Sequence, residues 1–171
     1  MKIALTGHTK GFGKYLYEHF EKDHEMIGFS RSNGFDISIE ADRENIVQKS
    51  ADCDIFINNA QQSFHQTELL YQIFYNWKDK KKLIINIGSN ARDFINSNKI
   101  YNYAVQKSAL NNASKQLGRL DHCRITAVDF GFLSRPTGNT ISYSDATEYV
   151  QIAMSAYKKN YRLLEILVAH E

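Results

Sequence analysis

The sequence predicts an α/β fold in which helices cover both faces of a doubly wound parallel sheet, giving three layers. Short apolar runs alternate along the chain with longer segments of helical periodicity, and this alternation is typical of strand–helix–strand units. The short runs are apolar at nearly every position, as in strands that are buried on both faces. With 171 residues and no Pro-, Gly- or Ser-rich linker, the whole chain is interpreted as a single domain, residues 1–171.

The predicted strands are rich in Ile, Val, Leu or Phe, and they are Lys2–Thr6, Met26–Ser30, Asp54–Asn58, Leu83–Ile87, Arg124–Phe130 and Leu163–Ala169. The predicted helices carry apolar residues at steps of three and four, and they are Lys14–Lys22, Ile39–Lys49, Phe64–Trp77, Tyr101–Leu120 and Asp145–Tyr157. Only five residues separate Ser30, at the end of the second predicted strand, from Asp36. This connection is too short for a crossover between parallel strands, which needs roughly a dozen residues. Either the chain turns tightly after Ser30, or Phe35–Ser38 forms a short piece at the sheet edge.

Composition excludes several classes of protein. A hydrophobic content of 43% with a formal charge of +2 is unlike a disordered chain, and it predicts neither a nucleic-acid partner nor an anionic membrane. No apolar run approaches the roughly 18 residues of a membrane span, and the N-terminus becomes polar too soon for a signal peptide. Cys53 and Cys123 have no CxxC partner, so we expect buried reduced thiols in a cytoplasmic protein. The histidines lack ligand spacing, and no metal site is predicted.

Two groups of cations have more than one interpretation. The run Lys78–Lys82 closes a predicted helix, where cations complement the negative end of the helix dipole. A solvated helix end is therefore favoured over a nucleic-acid patch. Arg92 and Arg135 each follow a predicted strand, and they are interpreted as exposed loop arginines, with contact to an anionic substrate as the alternative.

A glycine-rich turn follows the first predicted strand directly. The residues Thr6–Gly13 read TGHTKGFG and open an amphipathic helix. Glycines allow a tight turn and close approach of the backbone, while a helix N-terminus offers unpaired N–H groups and a positive dipole end. We therefore predict a phosphate of a dinucleotide at this turn, although a plain strand–helix turn has the same composition.

The spacing TGxxxGxG resembles the short-chain dehydrogenase/reductase family, which has a Rossmann-type fold. Four further motifs support the resemblance, each placed after a predicted strand or at the start of a predicted helix. The family's NNAG motif is matched by NNAQ at Asn58–Gln61, and its active-site serine is matched by Ser89 at the end of IINIGS. The family's YxxxK motif is matched by YAVQK at Tyr103–Lys107. The family's proline–glycine turn is matched by Phe130-Gly131.

The resemblance implies a catalytic trio of Ser89, Tyr103 and Lys107. Lys107 stands four residues after Tyr103, so both side chains leave one face of a helix. An ammonium beside a phenol favours the phenolate, so we expect a lowered pKa for Tyr103, with Tyr103 as the general acid or base of hydride transfer. Ser89 would polarise the substrate oxygen. In the family the lysine also binds the nicotinamide ribose, a role that the resemblance assigns to Lys107.

The cofactor predicted from this resemblance is NADP(H) in preference to NAD(H). Arg31 follows the second predicted strand, where an NAD enzyme has an acid for the ribose hydroxyl, and Lys10 is a second cation in the glycine turn. Asp36 resembles the family's adenine-contacting aspartate. The predicted cofactor-binding residues are Gly7, Thr9, Lys10, Gly11, Phe12, Gly13, Ser30, Arg31, Asp36, Asn59, Ala60, Tyr103, Lys107, Gly131 and Leu133.

Several departures from the family pattern keep a second hypothesis open. The family's proton-relay asparagine has no clear match, with Gln66 as the nearest candidate, and Gln61 and Phe130 replace a glycine and a proline. The loop Ser134–Ser144 is too short for a helical lid, so we expect a shallow pocket or one completed by another subunit. The first hypothesis is an oxidoreductase acting on a small carbonyl or alcohol, as a homodimer or homotetramer. The alternative is a non-catalytic NAD(P)-binding regulator or redox sensor.

Overall fold

A single parallel sheet organises the molecule in the computed structural model, which describes residues 1–94, 100–120, 122–134 and 139–169. Within these residues the strands are β1 (Lys2–Thr6), β2 (Glu25–Phe29), β3 (Ile55–Asn58), β4 (Leu83–Ser89), β5 (Arg124–Phe130) and β6 (Glu165–Val168). They lie in the order β2-β1-β3-β4-β5-β6, and every neighbouring pair is parallel. The parallel sheet predicted from the apolar runs is confirmed.

Helices pack on both faces of the sheet, as predicted. They are α1 (Gly11–Phe20), α2 (Glu40–Lys49), α3 (His65–Trp77), α4 (Asn102–Gly118) and α5 (Tyr143–Ala156). Successive residues of β1 point to opposite faces. Ile3 and Leu5 pack with α1 and α5, whereas Ala4 packs with α2, α3 and α4. The two apolar layers explain why the strands are apolar at consecutive positions. No helix in the described ranges is both long enough and apolar enough to cross a membrane.

The segment after β2 takes the tight-turn alternative. Arg31–Asn33 form a short 3-10 helix whose end is closed by Gly34 in the left-handed region, with φ 87°. The Asn33 side chain accepts a hydrogen bond from the Ser30 backbone N–H and donates one to the Gly28 carbonyl. Residues 35–38 belong to no strand, so the interpretation of Phe35–Ser38 as an edge piece is wrong. The turn is stabilised locally by Asn33, and α2 then carries the chain over to β3.

Two element boundaries matter for the site. α1 begins at Gly11, inside the glycine turn and three residues before the predicted start, and β4 extends through Ser89. Both differences bring site residues onto regular elements. Because all strands are parallel, Thr6, Asn58, Ser89 and Phe130 end at the same edge of the sheet. Cys53 and Cys123 are buried free thiols, as expected, and burial raises the pKa of each to about 11.

Candidate active site

The strand order creates a crevice at the carboxyl edge of the sheet. β1 lies between β2 and β3, so the chain leaves β1 toward one side and later continues toward the other. Ligands of open α/β sheets bind at such a switch point, outside the carboxyl ends of the strands. Two clefts lie there, of about 460 Å³ and about 500 Å³, and both are lined by Asn59 and Gln61. The clefts therefore adjoin and form one groove along the edge.

The glycine turn brings its backbone close to the strand ends. Gly7 has φ 75° and its N–H donates to the Phe29 carbonyl at 2.7 Å, which closes the turn against β2. A side chain at Gly13 would place its Cβ 2.1 Å from the Gly7 carbonyl oxygen, so glycine is required there for close packing. Within the described ranges no side chain caps the N-terminus of α1, and the first turn of α1 contains no acid. The first N–H groups of α1 thus stay available for an anion.

The NNAQ segment is fastened to the glycine turn. The Thr6 hydroxyl accepts hydrogen bonds from the backbone N–H groups of Asn59 and Ala60, both at 3.0 Å. The Asn59 side chain returns a hydrogen bond to the Thr6 carbonyl at 3.0 Å. These bonds hold the ends of β1 and β3 in register, and they place Asn59 and Ala60 in the groove as the resemblance implies.

The first cleft collects most of the predicted cofactor residues. Its lining includes Gly7, Thr9, Lys10, Ser30, Arg31, Asp36, Asn59 and Ala60. Arg31 and Lys10 are exposed at this cleft, where they can meet a phosphate. The Asp36 carboxylate accepts hydrogen bonds from the backbone N–H and hydroxyl of Ser38, and these bonds lower the pKa of Asp36. Gly11 and Gly13 shape the turn without lining the cleft. The residues present fit a dinucleotide.

The second cleft brings the predicted catalytic residues together. Ser89, Tyr103 and Lys107 all line it, together with Phe12, Gly131 and Leu133 from the predicted cofactor set. Ser89 is the last residue of β4, and its hydroxyl accepts a hydrogen bond from the Ala91 N–H at 3.2 Å. That bond caps the short 3-10 helix Asn90–Asp93. The trio is thus assembled from the end of β4 and the first turns of α4.

The pKa of Tyr103 is raised rather than lowered. Burial of the phenol is the largest cause, and the hydrogen bond with Ser89 lowers the pKa by less. The Lys107 ammonium lies 5.6 Å from the centre of the Tyr103 ring, over its face, and its described hydrogen bonds go to other partners. The expectation that Lys107 lowers the pKa of Tyr103 is therefore wrong. Because its pKa is raised above the ordinary value for a phenol, Tyr103 carries its proton at neutral pH.

Lys107 is a buried cation whose ammonium contacts no carboxylate among the described residues. Its ammonium donates to the Gln66 side-chain oxygen at 2.8 Å and to the Ile87 carbonyl at 3.0 Å. Burial lowers the pKa of Lys107 to about 8, while the charge of Asp129 raises it slightly. Lys107 therefore changes charge close to neutral pH, so its charge responds to pH in this range.

Gln66 was named from the sequence only as the nearest substitute for a relay asparagine, and the structure gives it a definite place. It is buried on α3, and its amide nitrogen donates to the carbonyls of Asn58 and Ile87. Its oxygen is consequently aimed at Lys107. The Asn58 side chain donates in turn to the Gln66 carbonyl and to Asn86 across the β3–β4 pair. A single polar residue on a predicted helix gave no signal of these contacts.

Arg92 is neither an exposed loop arginine nor free to contact an anionic substrate, the two alternatives that the sequence leaves open. Its guanidinium binds Asp129 at 2.6 Å and also pairs with Glu165, and its side chain is 8% exposed. Asn111 on α4 donates to both of these carboxylates at 3.1 Å, and Lys115 binds Glu165 at 3.0 Å. The interpretation of Arg92 as an exposed loop arginine is wrong, because the carboxylates of β5 and β6 draw it inward. Arg135 lies outside the described residues.

The run Lys78–Lys82 lies at the opposite, amino edge of the sheet. It lines a cleft of about 660 Å³ together with Lys158 and Lys159. The first four residues of the run are exposed, in keeping with a solvated helix end. Lys82 differs, because its ammonium donates to the carbonyls of Ala51 and Cys53 at 2.5 and 2.6 Å and lies over Trp77. Among the described residues no group of three or more His, Cys, Asp or Glu could hold a metal ion.

The described fold, from the parallel sheet to its flanking helices, is similar to that of solved short-chain dehydrogenase/reductase structures. The 3-ketoacyl-(acyl-carrier-protein) reductase from Brucella melitensis, complexed with NADH, has a TM-score of 0.78 and 17% identity over 99% of this chain and 96% of its own. A small-chain dehydrogenase in complex with NADPH has a TM-score of 0.77 and 17% identity over 99% and 95%. The NADH-dependent reductase A1-R′ complexed with NAD has a TM-score of 0.75 and 17% identity over 99% and 94%.

The structural likeness extends along nearly the whole chain at low sequence identity. No protein-family model matches the sequence, and no curated protein matches it. The fold predicted from the alternation of strands and helices is confirmed at the level of the backbone. The chain has the short-chain dehydrogenase/reductase fold, and what it does with that fold is a matter for the site residues.

Proposed function

We propose that the protein is an NADP(H)-dependent oxidoreductase that interconverts a carbonyl and an alcohol by hydride transfer. One observation carries the proposal: Ser89, Tyr103 and Lys107 line a single cleft, and that cleft adjoins another, lined by the glycine turn and Arg31, at the switch point of the sheet. A protein that only bound a dinucleotide would have no need of a polarising serine beside a buried phenol. The solved structures with the same fold include a reductase complexed with NADH and a small-chain dehydrogenase in complex with NADPH.

The three side chains have complementary roles in this reaction. The bound nicotinamide would supply or accept the hydride. In the reducing direction, Ser89 donates a hydrogen bond to the carbonyl oxygen, and Tyr103 gives it a proton as negative charge develops. A raised pKa keeps Tyr103 protonated until that moment. Lys107 would bind the nicotinamide ribose, the role that the resemblance assigns to it, and its ammonium lies 5.6 Å from the centre of the Tyr103 ring.

Tyr103→Phe tests the catalytic role. Loss of the hydroxyl removes the proton donor, so kcat should fall by about a hundredfold or more while cofactor affinity changes little. Tyr75→Phe, which removes an exposed phenol on α3, is the matched control and should retain full turnover. If a purified protein that binds NADPH keeps its activity after Tyr103→Phe, Tyr103 is not the proton donor.

The alternative function is a non-catalytic NAD(P)-binding regulator or redox sensor. Gln61 and Phe130 favour it, because both depart from the family pattern within the cleft. A carbonyl screen separates the two functions. Cofactor binding without turnover of any aldehyde or ketone, in either direction, supports the regulator and contradicts the oxidoreductase.

The preference for NADP(H) rests on Arg31 and Lys10, the two exposed cations of the first cleft. A 2′-phosphate bound by Arg31 gains a charge-assisted hydrogen bond, so Arg31→Ala should weaken NADPH about tenfold and leave NADH nearly unchanged. Fluorescence titration of both cofactors measures this difference. Lys14→Ala, an exposed cation of α1 paired with Glu18, is the control and should change neither affinity. Tighter binding of NADH than NADPH by the unaltered protein contradicts the preference.

We also propose a homo-oligomer located in the cytoplasm. Tyr75 on α3 and Val105 on α4 are exposed apolar side chains on neighbouring helices, and such faces commonly pair between subunits. Sedimentation equilibrium with Val105→Glu tests the assembly, since a charge in a paired face should dissociate it. A monomer before substitution contradicts the proposal.

A further inference from the structure

Aromatic side chains form the outer wall of the second cleft. Phe94, Tyr101 and Phe132 line it and are 56%, 38% and 44% exposed, whereas Ser89 and Lys107 at its floor are buried. Large exposed apolar groups on a soluble domain commonly mark a binding surface when they cluster at a cleft. The floor of the cleft is occupied by the reacting groups, so the wall is the part that remains for the rest of a substrate.

Structured backbone positions this aromatic wall. Phe94 directly follows the short 3-10 helix Asn90–Asp93, and its N–H donates to the Ala91 carbonyl at 3.1 Å. The Phe132 carbonyl accepts a hydrogen bond from Ile141 at 2.9 Å, and the Tyr101 ring lies 6.1 Å from the Tyr103 ring. Backbone hydrogen bonds at Phe94 and Phe132 and a ring contact at Tyr101 therefore hold the three aromatic residues beside the proposed catalytic trio.

Charge is nearly absent from the described lining. Lys107 is its one charged side chain among the described residues, and the ammonium is already bound by Gln66 and the Ile87 carbonyl. Arg92, the cation nearest to Ser89 in sequence, is directed into the protein by Asp129 and Glu165. A charged group placed against Phe94, Tyr101 and Phe132 would lose hydration, and these three described side chains offer it no counter-ion. An uncharged aromatic substrate would lose little and gain ring contacts.

We infer that the substrate is an uncharged aromatic or bulky apolar aldehyde or ketone, or the corresponding alcohol. This inference rests on the proposed function. The apolar part lies against Phe94, Tyr101 and Phe132, and the oxygen reaches Ser89 and Tyr103. The reaction balances as a two-electron reduction: hydride from the reduced nicotinamide forms the new C–H bond, the Tyr103 proton forms the O–H bond, and the products are the alcohol and the oxidised cofactor.

A matched pair of ketones tests the inference. Acetophenone and para-acetylbenzoate share the ring and the carbonyl but differ by one carboxylate, and propanal provides a small aliphatic carbonyl. With NADPH, kcat/KM for acetophenone should exceed that for para-acetylbenzoate by about tenfold or more, and should exceed that for propanal. Preference for the carboxylate or for propanal overturns the inference alone. If the cofactor binds but none of the three compounds is reduced, the proposed function is overturned, and this inference with it.

Variants of the wall locate the preference. Phe94→Ala and Phe132→Ala should each lower kcat/KM for acetophenone about tenfold and leave propanal nearly unchanged. Phe64→Ala removes an exposed phenyl of similar exposure outside the cleft and is the matched control. Cofactor titration checks that each variant is folded. Equal losses for both substrates, or a changed oligomeric state with unchanged kinetics, would assign the wall to stability or to a subunit interface and overturn the inference.

Discussion

Two buried cations lie near the carboxyl ends of β4 and β5, and their surroundings differ. Lys107 is enclosed by an amide and a carbonyl, and burial lowers its pKa to about 8. Arg92 is enclosed by the carboxylates of Asp129 and Glu165, which outweigh the effect of burial and raise its pKa. One cation can change charge near neutral pH and the other cannot. The difference separates a group suited to chemistry from one that holds the strands and α4 together.

The carboxylates around Arg92 are not equivalent. Burial raises the pKa of Asp129 in spite of the bond from Arg92, because Asp129 is 1% exposed. Burial acts in the same direction on Glu165, but the hydrogen bonds from Lys115 and Arg92 outweigh it and lower its pKa. Asp129 therefore depends on Arg92 more strongly than Glu165 does.

Removal of the Arg92 guanidinium should cause the largest loss in the free energy of unfolding. Arg92→Met leaves the buried Asp129 carboxylate without its cation, and breaking a buried pair in this way costs about 3–5 kcal/mol of the free energy of unfolding. Urea unfolding measures the change. Lys115→Met removes a cation that is 34% exposed and shares the same cluster, so it should cost no more than about 1 kcal/mol. Equal losses in the two variants would show that burial of the pair does not decide its contribution.

A carboxylate beside Lys107 should give the next largest effect. Gln66→Glu places a negative charge within hydrogen-bond distance of the ammonium, so the pKa of Lys107 should rise from about 8 by at least one unit, about 1.4 kcal/mol. The alkaline limb of the kcat profile for reduction should move to higher pH by the same amount. Gln106→Glu adds the same charge one residue from Lys107, at a more exposed position, and should leave the limb in place. An unmoved limb in Gln66→Glu would mean that Lys107 does not control it.

Lys107→Met should have the smallest effect on stability. At about pH 7 the native state bears the cost of burying an ammonium, roughly 3 kcal/mol from its pKa, and the variant removes this cost together with two hydrogen bonds. We therefore expect the free energy of unfolding to change by about 1 kcal/mol or less, although turnover is lost. A loss as large as that of Arg92→Met would contradict the comparison between the two cations.

The pH dependence of this difference has a definite sign. Between about pH 8 and 10.5 the unfolded chain holds the Lys107 proton and the native protein has released it, so native stability rises with pH. Relative to Lys107→Met, the wild-type protein should gain about 1 kcal/mol between about pH 7 and 9. The cysteines and tyrosines titrate in both proteins and cancel in the difference. A constant difference across this range would mean that Lys107 is not buried as a cation.

Local patterns predicted the parts of the site that depend on neighbours in sequence. The glycine turn, the NNAQ segment and the four-residue spacing of Tyr103 and Lys107 each specify a local backbone or helix face, and the structure brings them to one groove. The direction of the Tyr103 pKa was missed, because burial of the ring depends on the whole cleft. The tight turn after Ser30 was one of two alternatives, and the contacts of Asn33 with Ser30 and Gly28 decide between them.

The sequence by itself determined the parallel sheet, the glycine turn and the shared helix face of Tyr103 and Lys107, because apolar runs, glycine spacing and helical spacing act over a few residues. The tertiary structure alone decided which partners the buried cations have. Gln66 reaches Lys107 across 41 positions, and Arg92 reaches Asp129 across 37, through packing of α3 and α4 on the sheet. The burial of a side chain depends on what packs around it, and the interaction between two charges falls off with their distance in space, whatever their separation along the chain. For that reason the pKa values of the site belong to the folded protein.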